Sequence, residues 1–158
     1  MPTRSTHLRS LVHYLDPHGE VFKPTIRPTP AFSPNADAER LKKALSGIGT
    51  DEQAIIDILG QRTSAERLEI RQTFAAISQE SLHDALHRCL SGDFRDLALT
   101  LTKTPWEIMA EALFNAMRGY GIKERVLNEI LSSCSRDDIP ELKKAYEEGK
   151  CRLGLCRS

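Results

Sequence analysis

The sequence has few aromatic residues, no excess of either charge and no long apolar run. Aromatic residues make up 6% of the 158 positions, and Lys plus Arg equals Asp plus Glu at 22 each. A net charge of zero argues against a general nucleic-acid-binding protein, which carries a basic excess. No stretch reaches the roughly 18 apolar residues of a membrane-spanning helix. The overall composition, with 40% hydrophobic and 28% charged residues, is typical of a globular domain.

Features of secretion and catalysis are also missing from the sequence. The first thirty residues contain no apolar segment of the signal-peptide type. The four cysteines are therefore better explained as thiols of a cytoplasmic protein than as a disulfide framework. No Ser/His/Asp order, phosphate-binding glycine loop or dinucleotide fingerprint occurs. We therefore expect a protein that is not an enzyme.

The N-terminal segment 1–35 differs in composition from the rest of the chain. It holds six of the eight prolines, and four Lys or Arg against two acidic residues give it a net charge of +2. Proline fixes φ and removes a backbone donor, so this segment should be extended rather than helical. We interpret it as a Pro-rich arm that is available to a protein partner.

From residue 36 onward, apolar residues recur with the period of amphipathic helices. Five short stripes precede residue 103, formed by Leu41, Ala44 and Leu45, by Ile55, Ile58 and Leu59, by Leu68, Ile70, Phe74 and Ile77, by Leu82, Ala85, Leu86 and Leu90, and by Phe94, Leu97, Ala98 and Leu101. No run alternates in the manner of a strand. The pattern predicts an all-α fold.

The helical part of the sequence repeats itself with an offset of 72 residues. Ten of the 37 positions from 38 to 74 are identical to their counterparts in the second copy. The glycine pairs Gly47 with Gly49 and Gly119 with Gly121 stand in register. An apolar period arises easily by chance, whereas a double Gly-x-Gly in register does not.

The second copy is shorter than the first. The offset predicts a five-helix repeat over 36–103, a three-helix repeat over 104–148 and a divergent tail over 149–158. A repeat buries its apolar faces against neighbouring helices, and a terminal repeat needs a polar cap. The second copy lacks the two helices that would close its bundle, so its apolar side chains should stay partly uncovered and favour self-association. These side chains are Leu127, Ile130, Leu131 and Leu142. Pro140 should also shorten or kink a helix that begins after Ser135.

The loop at 45–52 is the clearest candidate for a binding site in the sequence. Its glycines allow positive φ and let carbonyls turn toward one point, while Thr50 is placed to cap the next helix. Calcium accepts backbone carbonyls together with carboxylates, so a weak calcium site is one interpretation. A plain tight turn between helices is the other.

At these residues the sequence resembles a known family. The residues 43–52, Lys-Ala-Leu-Ser-Gly-Ile-Gly-Thr-Asp-Glu, the Ile58-Leu59 pair followed by Arg62, and the segment 90–94, Leu-Ser-Gly-Asp-Phe, are similar to an annexin repeat. The resemblance covers about residues 30–147. It implies five-helix repeats and calcium-dependent binding to acidic phospholipid membrane surfaces.

The resemblance also implies which residues contact Ca²⁺. In the family, loop carbonyls and a distant acidic side chain share the principal ion, and a second ion is held by the Thr carbonyl and the Glu carboxylate. The matching metal-ligand positions are Leu45, Gly47, Gly49, Thr50 and Glu52 in the first loop and Met117, Gly119, Gly121 and Glu124 in the second.

Three departures from the family pattern predict weak binding. Cys89 stands where the family keeps its distant carboxylate, and a neutral thiol is a poor calcium ligand. In the second loop, Ile122 and Lys123 replace Thr and Asp, which removes a helix cap and adds a positive charge. We therefore expect calcium-dependent membrane binding at reduced strength. The alternatives are a calcium-independent protein-interaction module and a truncated variant without independent function.

Overall fold

The computed structural model describes residues 26–47, 49–118 and 121–152, and within these ranges the regular structure is helical throughout. The predicted arm residues 1–25 and tail residues 153–158 lie outside the described part. The helices are α1 (Pro34–Ser46), α2 (Glu52–Leu59), α3 (Ser64–Ser78), α4 (Leu82–Cys89), α5 (Gly92–Leu101), α6 (Pro105–Met117), α7 (Glu124–Ser133) and α8 (Asp138–Arg152). The all-α prediction is confirmed.

Side-chain caps fix where several helices begin. At α3, the Thr63 hydroxyl accepts from the Glu66 N–H while the Glu66 carboxylate accepts from the Thr63 N–H. The same reciprocal arrangement joins Thr104 and Glu107 at α6. Each cap satisfies backbone donors that the first helical turn leaves without partners. These boundaries follow directly from the local sequence.

The first five helices enclose a continuous apolar core. Helix α1 packs along α3 and contacts α2, while α4 contacts α1, α3 and α5. The fully buried large side chains of this core are Leu41, Ile55, Ile58, Leu59, Ile70, Phe74, Leu82 and Leu86. The core thus contains the apolar stripes of α1 to α4, as their period predicts.

The last three helices form a smaller core around α6 and α8. Among the described residues, only Ala110, Leu113 and Leu142 are buried in it. Helix α7 buries no residue, and Leu131 is 50% exposed, which confirms the expectation for Leu131. The expectation for Leu142 was wrong: it is 3% exposed, because α8 packs along α6 without any further helix.

The predicted shortening of the last helix near Pro140 agrees with the structure, where residues 136–137 after Ser135 form a turn instead of helix. Helix α8 begins at Asp138, so Pro140 is its third residue. The N–H groups of a first turn have no intrahelical partner, so proline costs little there. Ser135 instead precedes the helix, and its N–H and hydroxyl both donate to Asp138 Oδ2, at 2.9 and 2.7 Å.

A partly buried ion pair joins the two helical units. Arg71 on α3 donates to Glu107 Oε2 at 2.9 Å and to the Thr102 carbonyl at 3.0 Å. Burial raises the pKa of Glu107, but the hydrogen bond from the Thr104 N–H and the interactions with the Arg71 guanidinium together lower it by more. The pKa of Glu107 is therefore below its usual value. The carboxylate is therefore stabilised in its charged form and connects α3 to the start of α6.

We predict that Glu107→Gln lowers the free energy of unfolding by roughly 1–2 kcal/mol at neutral pH, because it removes a charged hydrogen-bond acceptor while a glutamine still caps α6. A carboxylate whose folded pKa is depressed stabilises the fold above its unfolded pKa and loses that contribution as pH falls. Urea unfolding between pH 7 and 3 should therefore show a shallower loss of stability in the variant.

The control for this prediction is Glu111→Gln. Glu111 pairs with Lys103 at 2.6 Å, but its side chain is 53% exposed. Solvent-exposed pairs contribute roughly 0–1 kcal/mol, so this variant should unfold nearly as the parent does. Equal effects of the two substitutions would contradict a special contribution from the Arg71–Glu107 pair.

The described end of the N-terminal arm is fastened to the first helical unit. The Thr29 N–H donates to Glu66 Oε1 at 2.8 Å, and Arg62 donates to the Thr29 hydroxyl at 3.1 Å. Arg62 also contacts Asp37 on α1 at 2.6 Å. This network places the described end of the arm against α1 and α3. In the described part of the chain, no helix combines the length and apolar character needed to cross a bilayer.

Candidate functional site

The first loop runs from the end of α1 to the start of α2. Gly47 follows the last turn of α1, and the Asp51 N–H donates back to the Ala44 carbonyl at 3.1 Å, which closes the loop. Gly49 has φ +87°, a conformation that only glycine adopts without strain. The backbone of the loop therefore requires glycine at position 49, and the predicted positive φ is confirmed there.

Helix α2 is capped by a residue other than the one predicted. The Asp51 carboxylate, not the Thr50 hydroxyl, accepts from the Ala54 N–H, at 3.0 Å. The helix begins at Glu52, one residue later than a Thr50 cap requires. The Thr50 hydroxyl instead donates to the Cys89 carbonyl at 3.2 Å, which ties the loop to the end of α4.

The Cys89 thiol contacts the first loop directly. Its Sγ lies 3.2 Å from the Leu45 carbonyl oxygen, with the thiol as donor. The Arg88 guanidinium lies 3.4 Å from the same sulfur. The position that resembles the family's distant carboxylate is therefore adjacent to the loop, but it presents a neutral donor instead of two anionic oxygens. The Leu45 carbonyl accepts this hydrogen bond within the protein.

The described residues of the second loop match the backbone of their counterparts in the first loop. Gly121 has φ +89°, and the Lys123 N–H donates to the Ala116 carbonyl at 3.0 Å, which matches Asp51 and Ala44 after the offset of 72. Lys123 makes no side-chain cap for α7, as the loss of Thr and Asp predicts. Gly119 lies outside the described residues.

The two loops differ in the charge that surrounds their carbonyls. Asp51 and Glu52 follow the glycines of the first loop, whereas Arg118 and Lys123 accompany Glu124 in the second. A cation is therefore favoured in the first loop and opposed in the second. The described residues contain no cluster of three or more His, Cys, Asp or Glu side chains suited to a metal ion. The oxygen donors that the loops offer are mainly backbone carbonyls.

The structure places the predicted site residues in two separate groups. Leu45, at the end of α1, is buried, Glu52 is the exposed first residue of α2, and Gly47, Gly49 and Thr50 lie between them. Met117 ends α6 with 43% exposure, and Glu124 opens α7. The sequence did not predict the two hydrogen bonds that join Cys89 to the first loop. Their partners are 44 and 39 residues apart, so no local spacing indicates the contacts.

Comparison with known proteins finds relatives of this chain. A family model described as annexin matches residues 36–101. The chain is 44% identical over 141 residues to Annexin B22 of Schistosoma mansoni, with 89% of the chain and 38% of that protein covered. It is also 44% identical over 124 residues to Annexin A8 of Bos taurus, with 78% and 38% covered. The chain thus spans about two fifths of the length of these relatives.

Solved structures give the same result. The crystal structure of calcium-bound annexin (Sm)1 superposes with a TM-score of 0.84 at 41% identity and covers 94% of this chain and 43% of that one. The structure of apo-annexin (Sm)1 superposes with a TM-score of 0.83. The similarity therefore extends through both helical units.

Proposed function

The chain belongs to the annexin family, and we propose that it binds acidic phospholipid membrane surfaces peripherally, weakly and in a calcium-dependent, non-enzymatic manner. The observation that supports this most is the first loop, where Gly49 adopts positive φ and the acidic residues Asp51 and Glu52 follow. Backbone carbonyls and carboxylates are the oxygen donors that calcium accepts. A bound calcium ion would supply the positive charge that attracts an anionic headgroup.

Two groups of ligands in the first loop fit this proposal. The carbonyls of Leu45, Gly47 and Gly49 are the principal donors, and the Thr50 carbonyl with the Glu52 carboxylate forms the second group. Glu52 is exposed, so its carboxylate is accessible without rearrangement of the core. In the second loop, Met117, Gly119, Gly121 and Glu124 are candidate ligands of lower affinity, because Lys123 places a positive charge beside them.

The geometry around Cys89 supports a weak site. A calcium ion that uses the Leu45 carbonyl competes with the hydrogen bond from the Cys89 thiol, and it gains no carboxylate in return. Sites with few anionic ligands bind calcium in the range of roughly 0.1–1 mM. We expect the principal site to lie at that weak end.

We predict calcium dissociation constants near the millimolar range in calorimetry, and sedimentation with phosphatidylserine vesicles only when calcium is present. Glu52→Ala should weaken vesicle binding severalfold, because it removes the accessible carboxylate of the first loop. Glu124→Ala is the matched control at the equivalent position and should change binding little. Micromolar calcium affinity without lipid, or equal losses in both variants, would contradict this assignment.

A second candidate function is protein binding through the N-terminal arm, independent of calcium. The observation that favours it is the attachment of Thr29 to Arg62 and Glu66, which fixes where the arm leaves the first helical unit. Capture of a partner by the chain in the presence of a calcium chelator, and its loss on deletion of residues 1–25, would favour this function.

A further inference from the structure

The end of α4 is held against the first loop by both the side chain and the backbone of Cys89. The Cys89 thiol donates to the Leu45 carbonyl at 3.2 Å, and the Cys89 carbonyl accepts from the Thr50 hydroxyl at 3.2 Å. Leu90, the residue that follows the helix, donates to the Leu86 carbonyl at 2.9 Å and so continues the hydrogen bonding of α4. The last turn of α4 therefore has a fixed position relative to the loop.

Arg88 places a positive charge beside Cys89 in this last turn. Its Nη1 lies 3.4 Å from Cys89 Sγ, and its Nη2 donates to Glu80 Oε1 at 2.9 Å. The Arg88 and Glu80 side chains are 58% and 40% exposed, so solvent screens their attraction. The guanidinium thus lies between a carboxylate on one terminal nitrogen and a thiol on the other, and the thiol is the group that contacts the loop.

The Arg88 guanidinium is close enough to the first loop to influence a cation there. The two contacts through Cys89 Sγ place Nη1 within roughly 7 Å of the Leu45 carbonyl oxygen, less than the Debye length of about 10 Å at 0.1 M ionic strength. A positive charge at this range repels a second cation, and the repulsion grows in proportion to the charge of that cation. Glu80 opposes this effect by pairing with the other nitrogen, but Arg88 is the partner that contacts Cys89.

We propose that Arg88 sets the charge selectivity of the first loop: its guanidinium disfavours cations in proportion to their charge, and Glu80 limits the repulsion. The inference rests on the proposed calcium binding and gives that binding a second reason for being weak. The neutral thiol of Cys89 withholds an attraction, whereas Arg88 adds a repulsion. The two effects can be measured separately, because they depend on different side chains.

A calcium-free measurement tests whether Arg88 raises the electrostatic potential at Cys89. Iodoacetate is anionic and iodoacetamide is neutral, and both alkylate the same sulfur, so the ratio of their rates reports the local potential. Mass spectrometry of peptides follows each cysteine of the chain separately. Arg88→Gln should lower the ratio at Cys89 by at least about twofold and leave the ratio at Cys134 unchanged, since Cys134 belongs to the second unit.

The calcium response of both loops is measured in one NMR titration of the intact chain, through the backbone amides of Gly49 and Gly121. Arg88 is exposed and glutamine has a similar helix propensity, so Arg88→Gln should keep the fold. At about 20 mM salt, this variant should lower the dissociation constant reported by Gly49 by about threefold and leave the response of Gly121 unchanged. Glu80→Gln should raise the Gly49 value by about twofold, because it leaves the Arg88 charge uncompensated. Addition of about 0.5 M NaCl should remove most of both effects.

A trivalent ion separates an effect of charge from a change in the shape of the loop. Because repulsion is proportional to ionic charge, a threefold gain for Ca²⁺ predicts a gain of about fivefold for La³⁺ in the same Arg88→Gln variant. A rearranged loop is not bound by this relation.

The matched control is Arg40→Gln, which removes the same charge from another exposed ion pair. Arg40 pairs with Asp57 at 3.2 Å, and these side chains are 55% and 36% exposed, close to the values for Arg88 and Glu80. This variant should change the dissociation constant at Gly49 by less than about 1.5-fold.

Four results would overturn the proposal. They are an unchanged alkylation ratio at Cys89 in Arg88→Gln, an unchanged dissociation constant at Gly49 in that variant, an equal gain in Arg40→Gln, and equal gains for Ca²⁺ and La³⁺. Sedimentation of the parent chain with phosphatidylserine vesicles in calcium tests the proposed function separately. If the parent sediments while Arg88→Gln leaves Gly49 unchanged, membrane binding stands and the charge selectivity is refuted. If neither chain shows calcium-dependent shifts at Gly49, the assignment of calcium to the first loop fails as well.

Discussion

Cys89→Glu should increase calcium-dependent binding to phosphatidylserine vesicles by at least about tenfold, a change of roughly 1.4 kcal/mol. The substitution acts at the point where Sγ lies 3.2 Å from the Leu45 carbonyl. It removes the donor that occupies this carbonyl and adds two anionic oxygens, and calcium affinity rises with the number of charged ligands. The calcium concentration at half-maximal sedimentation, measured at fixed lipid, is the readout.

Two other substitutions at the same position separate charge from hydrogen bonding. Cys89→Gln has nearly the shape of the glutamate variant without its charge and should recover little of the gain. Cys89→Ser keeps a donor toward the Leu45 carbonyl and should behave like the parent. If Cys89→Glu and Cys89→Gln gave the same increase in vesicle binding, loss of the thiol hydrogen bond to the Leu45 carbonyl would explain the effect, and the added carboxylate would not. No increase with glutamate would place the principal ion elsewhere.

Much of the fold could be predicted from the sequence, because helix formation in this chain is governed by local signals. The apolar period gave the stripes of the first core. The offset of 72 also predicted the equivalence of the loops, which the matching φ of Gly49 and Gly121 confirms. These features depend on residues a few positions apart.

Contacts between distant segments were the part that local patterns could not predict. The Thr50 hydroxyl donates to the Cys89 carbonyl at the end of α4 while Asp51 caps α2, and this contact joins segments 39 residues apart. The burial of Leu142 likewise depends on how α8 lies along α6. The predicted metal ligands were identified through a resemblance to a family.

Hydrogen exchange should show that α7 opens about 100-fold more readily than α2. The two helices occupy equivalent places, but their apolar residues are buried to different extents. Ile55, Ile58 and Leu59 on α2 are each 1% exposed, whereas Leu127 and Ile130 are half-buried and Leu131 is 50% exposed. Full burial of such side chains contributes roughly 1.5–3 kcal/mol each. A partial loss of burial free energy at these three positions amounts to about 3 kcal/mol. This difference corresponds to the expected factor of about 100 in helix opening.

The matched pair Leu59→Ala and Leu131→Ala tests the same difference by equilibrium unfolding, because the offset of 72 makes the positions equivalent. Leu59→Ala should cost about 2–5 kcal/mol, the usual loss for a fully buried leucine. Leu131→Ala should cost less than about 1 kcal/mol, because half of that side chain already contacts solvent. Exchange must be measured on a monomer verified by light scattering, since self-association would cover Leu131. Equal amide protection of α2 and α7 in such a monomer would mean that the three-helix unit is stable without the additional helices.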